Sequence, residues 1–593
     1  MSAPRQSSGS DLGVGLAVAA MVAGGVLWAA GALSARLSGH RVPRAAPTAG
    51  YAALAHPGDP SLAWSAPVGP AWLYWTVTAA VVAVAVVVAV GGWRLWHLEP
   101  GQAPPARAKG VATRAEVRRA AGAKALLARS TMLRRSLPRP RPADVGYRLG
   151  TARRVGCWAS VEDSMLLLGP PRSGKGLQVV IPMILDAPGA VVTTSTRPDN
   201  LAVTVARRAA AGPVMAFDPQ GLARGLPAGL PVLRWSLTRG CEHPQTAMIR
   251  AEALVGDASR SGIENGAFWR TQATSVARCL LHAAALDGRP AADVFRWSHT
   301  AGAAKEAVGI LTDHPAATPG WERALDAVIA ADGRTRDSVW AMVANCFAPL
   351  ADPAVLDALT PTPGEEFDPL AFLALGGTVY LLGTATGASA TAPLVAALIE
   401  DLVDAARRLA ARSPGQRLDP PLALILDEAA NYPLPSLPSL MSEGGGSGLT
   451  TLAVLQSLAQ ARDRWGREAA QAIWDAAIVK LALGGSANAD DLADLSRLIG
   501  ETDTLEWSET RHGGTGDRSL SSATRRRAIL EPSELRRLPF GQGFLLLRAA
   551  PPILLRLQPW TARSDAGELT AAADRWHQPP PPQPCAEGVA ADA

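Results

Sequence analysis

The sequence predicts an α/β protein: a mostly parallel sheet covered by helices on both faces, interrupted by an all-α insert and preceded by two N-terminal transmembrane helices. Three observations lead there. Short apolar runs that end in polar residues alternate with helical stretches of about ten to fifteen residues. One such run, Met165 to Leu168, passes into GPPRSGKG, Gly169 to Gly176, and then into the apolar LQVVIPMIL. Two uncharged apolar stretches, each of about 20 residues, the length of a bilayer-crossing helix, lie within residues 1–100.

Composition narrows the class without naming a function. At 593 residues the chain has room for several domains, and an apolar fraction of 48% supplies a core as well as membrane spans. The net charge of +5 says little, because the basic residues are almost all arginine and unevenly placed. Cys157, Cys241, Cys279, Cys346 and Cys585 are scattered and show no C-x-x-C spacing. That argues against a disulfide framework or a zinc site, and for a reducing compartment around the bulk of the chain.

Residues 1–100 read as a membrane anchor, with spans from about Leu12 to Leu33 and from about Ala71 to Trp93. Trp72, Trp75 and Trp93 mark the ends of the second. The first could instead be a signal peptide, although its apolar run is longer than a signal core usually is. Residues 101–150 read as a basic juxtamembrane segment and linker, rich in arginine from Arg107 to Arg141 and closed by LPRPRP. Positive residues beside a span stay inside, so the large C-terminal part is expected to be cytoplasmic, at the cell membrane. This segment could meet anionic lipid or nucleic acid, or be a solvated helix.

GPPRSGKG is the chemical centre of the sequence. It lies between a strand and a helix, with Pro170 and Pro171 at the turn. Gly169 and Gly174 let the backbone curl so that the N–H groups of Arg172, Ser173, Gly174, Lys175, Gly176 and Leu177 face a polyphosphate. Lys175 then neutralises the outer phosphates. Gly176 stands where a serine or threonine hydroxyl would meet Mg²⁺. Either another group or water takes that position, or turnover is weak.

Residues 151–239 therefore read as the first part of a nucleotide-binding domain, with further strands in GAVVTTSTRPD and PVMAFDPQG. Residues 240–360 carry helical periodicity and read as the all-α insert. Its Phe268, Trp269, Arg270, Arg334 and Arg336 are candidates for DNA contact or, for the aromatics, ordinary core. The sheet resumes in residues 361–560. GGTVYLLG is followed by a long helix and by LALILDEAAN, an apolar strand ending in Asp427 and Glu428. At such a strand end the first carboxylate orders Mg²⁺ and the second polarises the attacking water. Gln456, at the end of the next strand, could sense the γ-phosphate or simply be satisfied by backbone. Residues 561–593 read as a disordered Pro-rich tail.

GPPRSGKG with LQVVIPMIL, LILDEAAN, LTTLAVLQSLAQARDRWG, VKLALGG and RRAILEPSELRRLPFGQGFLLL resemble, in this order, the type IV secretion and conjugation coupling proteins, the TraG/TraD-like ATPases. The similarity runs from about Ala112 to Trp560 and includes the preceding spans. It implies a RecA-like P-loop NTPase with an inserted helical domain, using ATP and Mg²⁺. It also implies a homo-hexamer at the inner membrane that delivers DNA or a relaxase–DNA complex to type IV secretion channel components. On this likeness Lys175 binds phosphate, Asp427 the metal, Glu428 activates water and Gln456 couples hydrolysis to movement. Glycine after the lysine is usual in the family. Ser195 to Asp199 replace its Asp-Pro-Lys-Gly stretch, and a trans-acting arginine is sought among Arg334, Arg336, Arg462 and Arg464. A duplex DNA translocase of the FtsK type, and a non-hydrolysing receptor that uses nucleotide only for assembly, are the competing readings.

Overall fold

The computed structural model describes residues 24–46, 48–96, 110–222, 230–256, 266–383, 391–511 and 518–577. They divide into two compact units, residues 1–103 and 104–593.

The first unit is helical. Trp64, Val68, Tyr74, Ala35, Ala49 and Ala53 form its core. The Ser34 hydroxyl donates to the Val68 carbonyl at 2.8 Å, pinning the segment between two long helices, the first described over residues 24–37. The second of these, Ala71–Trp96, is uncharged until Arg94. Among the described residues no helix is long and apolar enough to cross a membrane. Most of the first expected span falls outside them, and side chains of the second are described only through Val87. The two transmembrane helices thus remain an expectation from sequence.

The second unit is built on one eleven-stranded sheet. Its strands are β1 (Gly146–Ala152), β2 (Val155–Ser160), β3 (Met165–Leu168), β4 (Val191–Ser195), β5 (Val214–Phe217), β6 (Thr378–Leu382), β7 (Leu422–Leu426), β8 (Leu449–Leu455), β9 (Val479–Leu483), β12 (Gln542–Leu547) and β13 (Ile553–Arg556); β10 (Glu501–Arg511) and β11 (Arg518–Ala528) pair separately as a hairpin. The strand order is β2-β1-β13-β12-β9-β3-β8-β7-β4-β6-β5. From β9 to β5 all pairings are parallel. The remaining four strands, β12, β13, β1 and β2, join antiparallel. Every residue of β3, β4, β6, β7 and β8 is buried, because helices cover both faces; β3 and β7 accordingly read as unbroken apolar runs, while β4, β6 and β8 carry threonine or serine as well.

Register decides where the chemistry sits. Leu168 pairs with Leu455, Ala453 with Leu426, and Leu426 with Thr194. Parallel strands in this register bring the residues after β3, β4, β7 and β8 to one edge of the sheet, the edge where open α/β folds bind ligands.

Three sequence expectations are corrected here. The segment taken as a juxtamembrane linker, 101–150, belongs to the sheet unit from its first described residue, Gly110. Thr113 and Glu116 form a reciprocal capping box that starts the helix Arg114–Ala121, and Val117, Ala121, Leu126 and Leu133 pack with Tyr147, Leu149 and Cys157. Arg114, Arg118 and Arg119 line the outside of that helix, whose other face is core, and Arg134 is buried against Asp419. The nucleotide-binding domain therefore does not begin at 151, since β1 starts at Gly146. The tail, 561–593, is ordered through a helix, Ala566–His577. Leu569 seats that helix against Ile181, Leu185 and Val203, and Arg563 pairs with Asp186 at 2.7 Å. Residues 578–593 lie outside the described residues.

The insert is helical as expected, from Pro244–Val255 to Pro353–Ala358. Its core holds Trp297, Trp340 and Val343, and Trp340 donates to the Trp297 carbonyl at 3.3 Å. Buried Arg250 anchors it to the sheet unit. That guanidinium meets Asp401 at 2.7 Å on the helix Ala392–Arg412, donates to the carbonyls of Leu237 at 2.7 Å and Arg239 at 2.9 Å, and stacks on Trp235. The described cysteines, Cys157, Cys241, Cys279 and Cys346, are buried free thiols.

Candidate nucleotide site

The loop after β3 curls tightly. Arg172 has φ +63° and Gly174 φ +87°, the left-handed region that glycine enters at little cost. A Cβ on Gly174 would lie 2.7 Å from the Phe540 ring, so a side chain there would strain the backbone and displace that ring. Lys175 ends the loop, and Gly176 opens a π-helical turn, Gly176–Val180, that continues into the helix Ile181–Asp186.

Across the sheet edge, the end of β7 presents its two carboxylates differently. The Asp427 backbone carbonyl accepts from the Thr194 hydroxyl at 2.9 Å, tying β7 to β4. Its Oδ2 accepts from the Asn200 carboxamide at 3.4 Å. Glu428 adopts φ +53°, ψ +48°, an uncommon conformation for a residue with a side chain. Its Oε2 accepts from Asn431 at 2.8 Å and from Thr196 at 3.2 Å, so the carboxylate is held at a fixed orientation.

Burial pushes the Asp427 carboxyl above the usual carboxylate range; the Lys175 ammonium opposes that shift and the Glu428 charge adds to it. Lys175 and Asp427 therefore belong to one electrostatic site, although they come from strands separated by β8. Lys175 Nζ, Asp427 Oδ1, Ser173 Oγ and Thr193 Oγ1 are buried without a hydrogen-bond partner. Buried polar groups are rarely left so. An ammonium, a carboxylate oxygen and a loop hydroxyl awaiting partners at one sheet edge fit a Mg²⁺–polyphosphate: Lys175 and the loop would hold phosphate, and Asp427 the cation.

The structure thus brings together Gly169 to Leu177, Lys175, Asp427 and Glu428. Gln456 directly follows β8, the strand between those of the phosphate loop and the carboxylates; the Gly169 N–H donates to the Leu455 carbonyl at 3.0 Å, so Gln456 lies beside the start of the loop. Among the arginines considered for a trans contact, Arg462 is engaged with Asp491 at 3.8 Å and Asp494 at 3.6 Å, and Arg336 with Asp337 at 3.1 Å. Sequence reasoning missed Thr194, Thr196, Asn200 and Asn431. Asn431, three residues after Glu428, was the one within reach of local pattern. The other three lie on or after β4: Thr194 just before the Ser195–Asp199 stretch that departs from the family, Thr196 within it and bonded to the Glu428 carboxylate, and Asn200 just past it and bonded to the Asp427 carboxylate.

Two family models match the chain. "Type IV secretory system Conjugative DNA transfer" matches residues 115–281, and "TraM recognition site of TraD and TraG" matches residues 421–540. Comparison with curated proteins gives no match. Among solved structures, the bacterial conjugative coupling protein TrwB, lacking its N-terminal segment and unbound, is similar with a TM-score of 0.51 at 18% identity, over 74% of this chain and 91% of that one. TrwB with a non-hydrolysable ATP analogue gives 0.52 at 18% identity, over 77% and 96%. TrwB with ADP and Mg²⁺ gives 0.51 at 17% identity, over 76% and 93%. The likeness to these structures is one of fold, the mostly parallel α/β sheet, and the matched segments contain the phosphate loop and the Asp427–Glu428 pair respectively. The chain belongs to the TraG/TraD family of type IV coupling proteins.

Proposed function

We propose that this chain is a membrane-anchored ATPase that couples hydrolysis to the delivery of DNA, or of a relaxase–DNA complex, to a type IV secretion channel. The observation that carries the reading is the convergence of Lys175, Asp427 and Glu428 at one sheet edge, with Lys175 Nζ and Asp427 Oδ1 both buried and unpartnered. TrwB, of the same fold, binds an ATP analogue and ADP with Mg²⁺.

In this reading the loop N–H groups and Lys175 hold the β- and γ-phosphates and neutralise charge as the terminal P–O bond breaks. Glu428, oriented by Asn431 and Thr196, accepts a hydrogen bond from the attacking water and draws off its proton. Asp427 holds Mg²⁺, which when bound supplies further charge neutralisation at the phosphates. Gln456, at the end of the strand between loop and carboxylates, is placed to pass the state of the γ-phosphate to the helix Leu458–Trp465.

Anchoring rests on the helix Ala71–Trp96, uncharged until Arg94, where Trp72, Val82, Val84, Val86 and Val87 are exposed. Such a band suits lipid better than water. Assembly as a homo-hexamer at the inner membrane, and a relaxosome protein docking on 421–540, extend the same reading. The test is ATP turnover by the full chain in detergent or vesicles, with and without single- or double-stranded DNA. DNA-stimulated hydrolysis that disappears in Lys175→Ala and Glu428→Gln is expected. Turnover unaffected by either substitution would overturn the assignment, and nucleotide binding with no turnover under any condition would favour a receptor.

A further inference from the structure

The phosphate loop lacks the hydroxyl that normally follows its lysine, and the structure shows what lies in that space. A Cβ built on Gly176 would find one neighbour within 4 Å outside its own helix and its chain neighbours: Oδ1 of Asn200, at 3.8 Å. Asn200 is 5% exposed, on the first turn of the helix Asp199–Ala209 that follows β4. Its Nδ2 donates to Asp427 Oδ2 at 3.4 Å. The orientation of the amide follows from chemistry. A carboxylate accepts only from the NH₂ end, so the oxygen end must face Gly176. Asp427 Oδ1, the other oxygen of that carboxylate, is buried and unpartnered.

We propose that Asn200 supplies, through its carboxamide oxygen, the cation-facing ligand that Gly176 cannot. A carboxamide oxygen is a hard, neutral donor of the kind Mg²⁺ accepts beside a carboxylate. It stands between the two places where P-loop enzymes put their protein ligands, the residue after the lysine and the acid at the end of another strand of the sheet, here β7. A glycine at 176 leaves room for the longer side chain to reach in from the next helix. The proposal rests on the reading of this edge as a Mg²⁺–nucleotide site and names the residue that completes it.

The test is affinity of the full chain for a fluorescent ATP analogue, measured in Mg²⁺ and in EDTA, for wild type, Asn200→Ala, Gly176→Ser and the double variant. Asn200→Ala is expected to cut the Mg²⁺-dependent gain in affinity by about tenfold or more, the scale on which even an outer partner of a metal ligand acts. Binding in EDTA should stay within about twofold of wild type, and Gly176→Ser should restore the gain in the double variant by returning the hydroxyl. An unchanged Mg²⁺ gain in Asn200→Ala overturns the proposal. So does an equal loss with and without Mg²⁺, which would mark a structural role. A loss that persists in the double variant, when Gly176→Ser alone binds as wild type, means that Asn200 merely positions Asp427 and also overturns it. Lys175→Ala separates the underlying reading: if it leaves binding in EDTA intact, the nucleotide site itself is wrong, whatever Asn200 does.

Discussion

The Thr196 hydroxyl donates to Glu428 Oε2 at 3.2 Å, linking the turn after β4 to the turn after β7. Glu428 leaves β7 in a left-handed backbone conformation, so its aim depends on the groups that receive it. Thr196 and Asn431 are those groups.

Thr196→Val keeps the shape and removes the donor. Hydrogen bonds to a charged group are worth about 1.5–3 kcal/mol, so turnover should fall by about tenfold while nucleotide affinity holds. Asn431→Ala should behave alike. Steady-state hydrolysis alongside equilibrium nucleotide binding separates the two quantities; a parallel fall in affinity would place Thr196 in binding instead of orientation.

Gly174→Ala should weaken nucleotide binding by more than tenfold. The left-handed backbone at φ +87° costs an alanine roughly 1–2 kcal/mol, and its methyl group meets Phe540 at 2.7 Å. Phe540→Ala in the same chain relieves only the contact, so the double variant should recover in part. Full recovery would show that backbone conformation contributes nothing.

Arg250→Ala should lower the first thermal unfolding transition, because it strands Asp401 and the Leu237 and Arg239 carbonyls. Breaking a buried ion pair costs about 3–5 kcal/mol. Limited proteolysis should then cut within 240–360 before it cuts the sheet. A variant as resistant as wild type would mean the insert is held by its apolar contacts alone.

Acid should loosen the insert through His282. The Thr318 N–H donates to Nε2 at 3.1 Å, which leaves the proton on Nδ1, facing the Cys241 carbonyl at 2.7 Å. Burial lowers the imidazole's pKa, so the fold holds the neutral ring. Its stabilisation is complete above about pH 6.5 and is lost as pH falls through the lowered folded value. Between about pH 7.5 and 5.5, a window that brackets the ordinary imidazole value, the melting temperature of wild type should drop by a few degrees more than that of His282→Gln. Parallel declines would assign the acid sensitivity to other groups.

What could be read beforehand divides along one physical line. The strands β3 and β7 were legible because burial on both faces favours uninterrupted apolar residues, and Lys175, Asp427 and Glu428 were legible because each sits at a fixed offset from such a strand. The hairpin of β10 and β11 was not. Its strands mix Glu501, Asp503, Arg525, Arg526 and Arg527 with small polar residues, and their pairing, Asp503 with Arg526 among others, leaves no apolar period to detect. β1 was hidden by Gly146, Gly150 and Arg148. Thr196 and Asn200 acquire their partners only once β4 lies alongside β7, a neighbour more than two hundred positions away in the chain. Nothing local announces that.

The helix Ala566–His577 rests on Ile181 and Leu185 and on Val203. Those residues belong to the two helices whose first turns carry Gly176 and Asn200, and Arg563 grips Asp186 at the end of the first. One C-terminal helix thus braces, on a single apolar seat and one ion pair, both of the helical segments that begin at Gly176 and beside Asn200.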